Sequence, residues 1–207
     1  MYIPPQFREA DSEKLLEFMQ ANSFATLVSV LDGLPFASHI PLVVTIGHDH
    51  IQLIGHLAKA NPHWQAFGAG ESLAIFSGAH AYISPSLYEQ RQNVPTWNYI
   101  AVHAYGTVTP IVWADAPDAM HGMINGMIAN YEPAYQAQWE DLSETYRHAM
   151  MQGIVGFELL VTRLEGKYKL SQNRSQIDQH QVAQALGQST NPHAAEIGQA
   201  MRANLPE

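Results

Sequence analysis

The spacing of apolar residues along the chain changes from a helical to a strand period near residue 24. Residues 11–22 carry apolar side chains at helical spacing behind an Asp-Ser entry. This pattern predicts a short amphipathic helix that buries Leu15, Leu16 and Met19, with Phe18 on its flank. Residues 24–44 then form two apolar, β-branched runs separated by Asp32-Gly33, which predicts a β-hairpin.

Further strands are predicted from short apolar runs between turn residues. A third run follows the sequence GHDH, so His48 and His50 are expected in a hairpin turn. Two histidines without a positioned third ligand make a poor metal cage, and no metal site is expected. The remaining runs cover residues 72–76, 79–84, 99–112 and 154–164, with a break expected at Ser77-Gly78. Antiparallel strands joined by short turns predict a barrel or sandwich.

Helical patterns occur between and after these strands. Residues 115–130 are expected to form a helix with Asp115 as N-cap, and residues 143–151 another that begins at Ser143. The first carries an apolar stripe typical of a core or a dimer interface, formed by Met120, Met123, Ile124, Met127 and Ile128. Two polar helices separated by Gly187 are expected beyond residue 175. The fold class is therefore mainly β with peripheral helices, an α+β arrangement.

Composition and charge narrow the class of protein. The 207 residues include no cysteine, which excludes disulfides and thiol nucleophiles. The formal charge is −9, from 19 acidic and 10 basic residues, so a broad positive field for nucleic-acid phosphates is absent. No apolar run is long enough to span a membrane, and the N-terminus lacks the pattern of an export signal. A cytoplasmic protein without a membrane partner is expected.

The segment GHLAKANPHW, residues 55–64, is the most informative in the chain. It predicts a strand followed by a helix, with Asn61 as N-cap and Pro62 as the first helical residue. The amides that follow, together with His56 and Lys59, are candidates for a phosphate site. The alternative is an ordinary helix start beside a solvated lysine.

Two other segments are rich in polar and aromatic side chains. Residues 84–98 form the longest stretch without a period, which is typical of a binding loop or of a surface loop whose Trp97 packs back on the barrel. The late segment GKYKLSQNR follows a strand and supplies an anion clamp or a cap for that strand, through Lys167, Lys169, Gln172, Asn173 and Arg174.

Six strings together resemble the PaiB-type family, the FMN-binding proteins named as negative transcriptional regulators. These strings are MYIPPQF, SHIPLVV, GHLAKANPHW, SGAHAYISPSLY, VPTWNYIAVHAYG and IVGFELLVTRLEGKYKLSQNR. The resemblance extends from Met1 to about Asp178. It implies an FMN-binding split β-barrel, antiparallel and homodimeric, over residues 1–174, with inserted helices at about 115–151 and a helical extension over residues 175–207.

The resemblance also implies which residues bind FMN. The phosphate end falls to Gly55, His56, Lys59 and Asn61, with Trp64 nearby, and the ring and ribityl chain to Ser38, His39, Ile40 and Pro41. Further cofactor contacts are expected at Thr96, Trp97, Asn98, Gln172 and Arg174. Lys59 stands where related sequences can carry Arg, which keeps the charge but loses the bidentate fork toward phosphate.

Three functions remain open at this point. The first is a negative transcriptional regulator that senses flavin or redox state, with DNA as a partner by family name but not by charge. The second is an FMN-dependent oxidoreductase of the flavin reductase kind, and the third a flavin- or haem-handling protein, since split barrels host several activities. The sequence shows no catalytic constellation of its own and no helix-turn-helix with a basic recognition helix.

Overall fold

The computed structural model describes residues 1–47 and 50–205. Within these ranges the chain forms eight strands and six α-helices. The strands are β1 (Arg8–Glu9), β2 (Phe24–Leu31), β3 (Leu34–Pro41), β4 (Val43–Ile46), β5 (Ile51–Ala58), β6 (Glu71–Ile83), β7 (Thr96–Ile111) and β8 (Ile154–Lys169). The helices are α1 (Ser12–Ala21), α2 (Pro117–Tyr131), α3 (Gln136–Asp141), α4 (Glu144–Gln152), α5 (Gln176–Gly187) and α6 (Pro192–Ala203).

The strands are hydrogen-bonded in the order β3-β2-β6-β7-β8-β5-β4, and β1 pairs with β8. The pairs β2-β3, β2-β6, β4-β5 and β5-β8 are all antiparallel. The chain forms two compact units, and β6, β7 and β8 each contribute a segment to both. The predicted division into residues 1–174 and 175–207 stays a prediction.

The hairpin predicted at Asp32-Gly33 is confirmed. Strands β2 and β3 pair from Leu31↔Leu34 outward, and both turn residues have positive φ, 52° and 79°, as a type I′ turn requires. The second apolar run does not continue as one strand, because it divides at Leu42 and its later part, β4, pairs with β5. The hairpin turn predicted at His48 and His50 includes residues 48 and 49, which lie outside the described residues, and it stays a prediction.

The expected break at Ser77-Gly78 is wrong. Strand β6 runs through both residues, but its buried face changes there from even positions, ending at Phe76, to odd positions, beginning at Ala79. A change of phase without a break explains why the apolar alternation looked interrupted in the sequence. The predicted N-cap of α2 is also wrong: Pro117 fixes the first helical residue, so the cap is Ala116 rather than Asp115.

The first unit contains residues 1–18, 77–102 and 165–205. Helices α5 and α6 confirm the predicted helix pair, and they belong to the core of this unit through Val182, Ile197 and Met201, which are buried. They pack closely, since a Cβ on Gly198 would lie 2.6 Å from the amide nitrogen of Gly187.

The second unit contains residues 19–76 and 103–164, except for residues 48 and 49. Two residues of the predicted α2 stripe, Met120 and Met123, are core residues, buried with Ile111 and Met151, while Ile124 and Met127 pack against this cluster and are partly buried. The N-cap predicted at Ser143 is confirmed, because its hydroxyl accepts a hydrogen bond from the amide of Tyr146. In the described part of the chain, every helix is too short or too polar to cross a bilayer.

Candidate functional site

Strand β5 ends at Ala58 and leads into a tight turn before a short 3₁₀ helix, Pro62–Ala66. Asn61 caps this helix as the sequence predicts: its Oδ1 accepts from the amide of His63 at 3.0 Å. Its Nδ2 donates to the hydroxyl of Ser38, 3.1 Å away on β3. Two residues predicted to bind cofactor, 23 positions apart in sequence, are therefore in direct contact.

Three backbone amides of this turn are already bonded within the protein. The amide of Lys59 donates to the carbonyl of Gly153, that of Asn61 to Ala58, and that of His63 to the Asn61 side chain. Pro62 has no N–H to offer. These three amides are therefore not available to a phosphate, and the anion site expected from the helix start stays a prediction.

Two side chains of the segment retain unused polar groups. The Nδ1 of His56 is buried and has no hydrogen-bond partner among the described residues. Burial also lowers the pKa of His56, so the ring is neutral at neutral pH. Lys59 is exposed and forms no ion pair within the described ranges. A free ammonium group and an unsatisfied imidazole nitrogen suit an anionic, hydrogen-bonding ligand such as the FMN phosphate end.

The other predicted residues of this segment have packing roles. Trp64 donates its indole N–H to the carbonyl of Lys59 at 3.0 Å and so holds the turn. A Cβ on Gly55 would lie 2.9 Å from Leu42 Cδ2 and 3.0 Å from a Phe157 ring carbon. A side chain at position 55 would therefore displace Leu42 or Phe157, which are both fully buried.

Strand β3 carries the predicted ring and ribityl contacts. It is the terminal strand in the order and contacts both β5 and the 3₁₀ helix. Ser38 and Ile40 are buried, and Pro41 is half-buried. His39 is exposed and lies 3.0 Å from the hydroxyl of Thr26, on the paired strand β2.

Sequence reasoning missed the most connected side chain of this region, His63. Its imidazole is fully buried, with Nδ1 2.9 Å from the Ser38 hydroxyl and Nε2 2.9 Å from that of Ser29. Ser29 in turn lies 2.7 Å from Ser72, oxygen to oxygen. The only signal in the sequence is a histidine two residues after the N-cap, and it does not reveal partners that are 25 and 34 positions away.

The remaining predicted contacts, at Thr96, Trp97, Asn98, Gln172 and Arg174, belong to the first unit. Lys169 donates to the Thr96 hydroxyl and, at 2.6 Å, to the carbonyl of Trp97. The Trp97 side chain is 53% exposed. Its ring lies 6.0 Å, between centroids, from both His80 and Tyr82. The alternatives of packing and binding stay open for Trp97.

Asn98, Gln172 and Arg174 have partners in the protein itself. Asn98 is buried and donates to the Ser171 hydroxyl at 2.9 Å, while its Oδ1 has no hydrogen-bond partner among the described residues. Gln172 closes the turn after β8, accepting from the amide of Leu170 and donating to the carbonyl of Tyr168. The guanidinium of Arg174 bonds Asn93 at 2.6 Å. These contacts favour the structural interpretation of GKYKLSQNR as a cap for β8.

Comparison with known proteins gives this geometry a context. The family described as "Putative FMN-binding domain" matches residues 1–163. The chain belongs to this family. It is 39% identical to the Protease synthase and sporulation protein PAI 2 of Bacillus subtilis (strain 168) over 99% of this chain and 98% of that protein. The resemblance to the PaiB-type family and the predicted cofactor, FMN, are thereby confirmed.

Solved structures confirm the split-barrel fold. The FAD and heme binding protein from Mycobacterium smegmatis superposes with a TM-score of 0.59 at 18% identity, covering 78% of this chain and 73% of that one. The flavocytochrome Anf3 from Azotobacter vinelandii gives a TM-score of 0.54 at 17% identity, covering 78% and 69%. The homodimer and the individual cofactor contacts stay predictions.

Proposed function

We propose that this protein holds the phosphate end of FMN at the turn after β5, through the Lys59 ammonium group and the ring of His56. The observation that carries the proposal is the pair of unused polar groups there, Lys59 without an ion pair and His56 Nδ1 without a hydrogen bond among the described residues. Both groups suit a phosphate, which accepts charge-assisted hydrogen bonds.

Strand β3 is proposed to carry the isoalloxazine edge and ribityl chain along residues 38–41. As the terminal strand of the order, it keeps backbone donors and acceptors on the side away from β2. A flat ring system needs such groups at its edge. FMN, when bound, supplies hydride and one-electron chemistry. The protein's part is to fix the ring beside β3 and its phosphate at Lys59. The homodimer expected of the fold is part of the proposal.

The biological role we propose is negative regulation of gene expression that depends on flavin or redox state. The support is the similarity to PAI 2, whose name refers to protease synthesis and sporulation. The charge of −9 opposes broad contact with DNA phosphates. Regulation is therefore proposed to act through a partner or through the flavin, rather than through a basic DNA-binding surface.

Titration of the purified apoprotein with FMN tests the cofactor site. Quenching of flavin fluorescence with a stoichiometry near one per chain is expected, together with dimer mass in light scattering. Absence of quenching at any FMN concentration would contradict the proposed site.

A paired assay tests the role. NAD(P)H oxidation by the FMN-loaded protein is compared with its effect on transcription of a reporter in cells, with and without Lys59→Ala. Altered transcription that requires Lys59, with negligible NAD(P)H oxidation, supports the regulator. Steady turnover with unchanged transcription would identify an FMN-dependent oxidoreductase instead.

A further inference from the structure

His63 lies between two strands and the candidate cofactor turn. It is the second residue of the 3₁₀ helix, and its ring is completely buried. One ring nitrogen faces Ser38 on β3 and the other faces Ser29 on β2, both at 2.9 Å. A single side chain thus joins the turn to both strands of the first hairpin.

The hydrogen bonds around His63 form a continuous chain, defined here as the His63 relay: Asn61, Ser38, His63, Ser29 and Ser72. The Asn61 amide can only donate to Ser38, since its Oδ1 accepts from the His63 amide. A neutral imidazole has one donor and one acceptor nitrogen. The relay is therefore satisfied with Ser38 donating to Nδ1 and Nε2 donating to Ser29, or with both bonds reversed.

Aromatic packing fixes the ring in this position. Phe36 lies edge-on at 5.1 Å between centroids, and Phe67 is tilted at 5.7 Å. Burial lowers the pKa of His63, which keeps the ring in the neutral form that the relay needs. Position, orientation and protonation of the imidazole are all determined by its surroundings.

We infer that His63 is a positioning residue for the cofactor site: it holds the Ser38 hydroxyl, and through it the Asn61 side chain, in the arrangement that shapes the turn carrying Lys59. This inference rests on the proposed function. Asn61 makes two bonds, one that caps the 3₁₀ helix and one to Ser38. Without the imidazole, Ser38 is free to rotate away, and Asn61 keeps only the cap. Lys59 then presents its ammonium group from a looser turn.

If His63 acted only through packing, loss of its two hydrogen bonds would leave the turn unchanged. A leucine at position 63 fills a similar volume between Phe36 and Phe67 but removes both hydrogen bonds. A leucine at position 67 removes one ring contact to His63 and leaves the relay intact. Comparison of His63→Leu with Phe67→Leu therefore separates the hydrogen bonds from the packing.

The experiment measures two quantities in wild type, His63→Leu, His63→Gln and Phe67→Leu. The first is the Kd for FMN from fluorescence titration, and the second is hydrogen exchange of the amides of residues 59–61, 63 and 64 without FMN. We expect His63→Leu to raise the Kd about tenfold and to accelerate exchange in the turn. Glutamine, which can donate and accept, recovers part of both, and Phe67→Leu lowers the melting temperature with the Kd within about twofold of wild type.

Two results with His63→Leu overturn the inference. One is a folded His63→Leu variant with turn exchange equal to wild type, and this reading does not depend on FMN. The other is a Kd raised equally by Phe67→Leu and His63→Leu. If His63→Leu does not fold, Ser38→Ala breaks the same link with the imidazole retained, and wild-type exchange in that variant overturns the inference. Failure of the wild type to bind FMN contradicts the proposed function alone.

Discussion

The guanidinium carbon of Arg174 lies 4.4 Å from the centroid of the Tyr88 ring, and Arg174 Nη1 donates to Asn93 Oδ1 at 2.6 Å. Both partners belong to the segment between β6 and β7. The carboxylate of Asp178, at the start of α5, accepts from the amide of Glu89 in the same segment. The residue that the sequence suggests as an anion clamp thus anchors a long connection to the end of β8.

Arg174→Ala is therefore expected to loosen residues 88–95 and to leave FMN binding unchanged. Arg91 is exposed in this segment and is a trypsin site, so limited proteolysis reports on the anchor. Faster cleavage after Arg91 is expected in Arg174→Ala and in Asn93→Ala, but not in the control Arg202→Ala, which changes an exposed arginine on α6. If Arg174→Ala is cleaved after Arg91 no faster than wild type and its Kd for FMN is raised tenfold, Arg174 is a cofactor contact instead of an anchor.

Lys59→Ala is expected to weaken FMN binding by about 1–3 kcal/mol, because a charge-assisted bond to phosphate is lost. Lys59→Arg keeps the charge and adds a bidentate fork, so the affinity is expected to stay the same or to increase. Fluorescence titration at two salt concentrations measures both effects. A phosphate contact through Lys59 also predicts a salt dependence that the alanine variant loses in part.

Lys14→Ala is the matched control for Lys59→Ala. Its ammonium group bonds Glu9 at 2.6 Å on a surface of the other unit, so its removal is expected to leave the FMN Kd unchanged. If Lys59→Ala and Lys14→Ala bind FMN alike, the phosphate end lies elsewhere.

Features set by neighbouring residues could be predicted from the sequence. The Asp32-Gly33 hairpin, the Asn61 cap and the α5-α6 pair each depend on a few adjacent positions. The change of buried face at Ser77-Gly78 could not be distinguished from a strand break, since both interrupt the alternation in the same way. Local chemistry determines turns and caps, whereas tertiary packing determines how far a strand continues.

The candidate site was predictable only in part for the same reason. The segment around Lys59 is marked by its own residues, but the contacts of Ser38 with Asn61 and His63 join positions 23 and 25 apart. A polar residue such as Gln172 resembles a ligand in a sequence, and only the fold shows that its amide oxygen and nitrogen both bond within the protein.

Gly106→Ala is expected to destabilise the protein by about 3 kcal/mol or more, because overpacking against backbone cannot be relieved by a rotamer change. A Cβ at this position on β7 would lie 2.0 Å from the carbonyl oxygen of Leu160 on β8. Gly122→Ala is the control: its Cβ meets nothing within 4 Å, and alanine in a helix interior is expected to stabilise by about 0.5–1 kcal/mol. Urea denaturation measures the free energy of unfolding of both variants. If Gly106→Ala is no less stable than Gly122→Ala, the close approach of β7 and β8 is contradicted.

Acid is expected to destabilise the apoprotein through its buried histidines. Burial lowers the pKa of His56 and of His63 below the ordinary value of about 6.5 that applies to the unfolded chain. Below pH 6.5 the unfolded state therefore binds more protons than the folded state, and the free energy of unfolding falls as the pH is lowered.

Urea denaturation between pH 5 and 8 measures the slope of the free energy of unfolding against pH. His56→Gln is expected to reduce the slope below pH 6.5. An unchanged slope in His56→Gln would contradict burial of His56 as a source of the acid sensitivity.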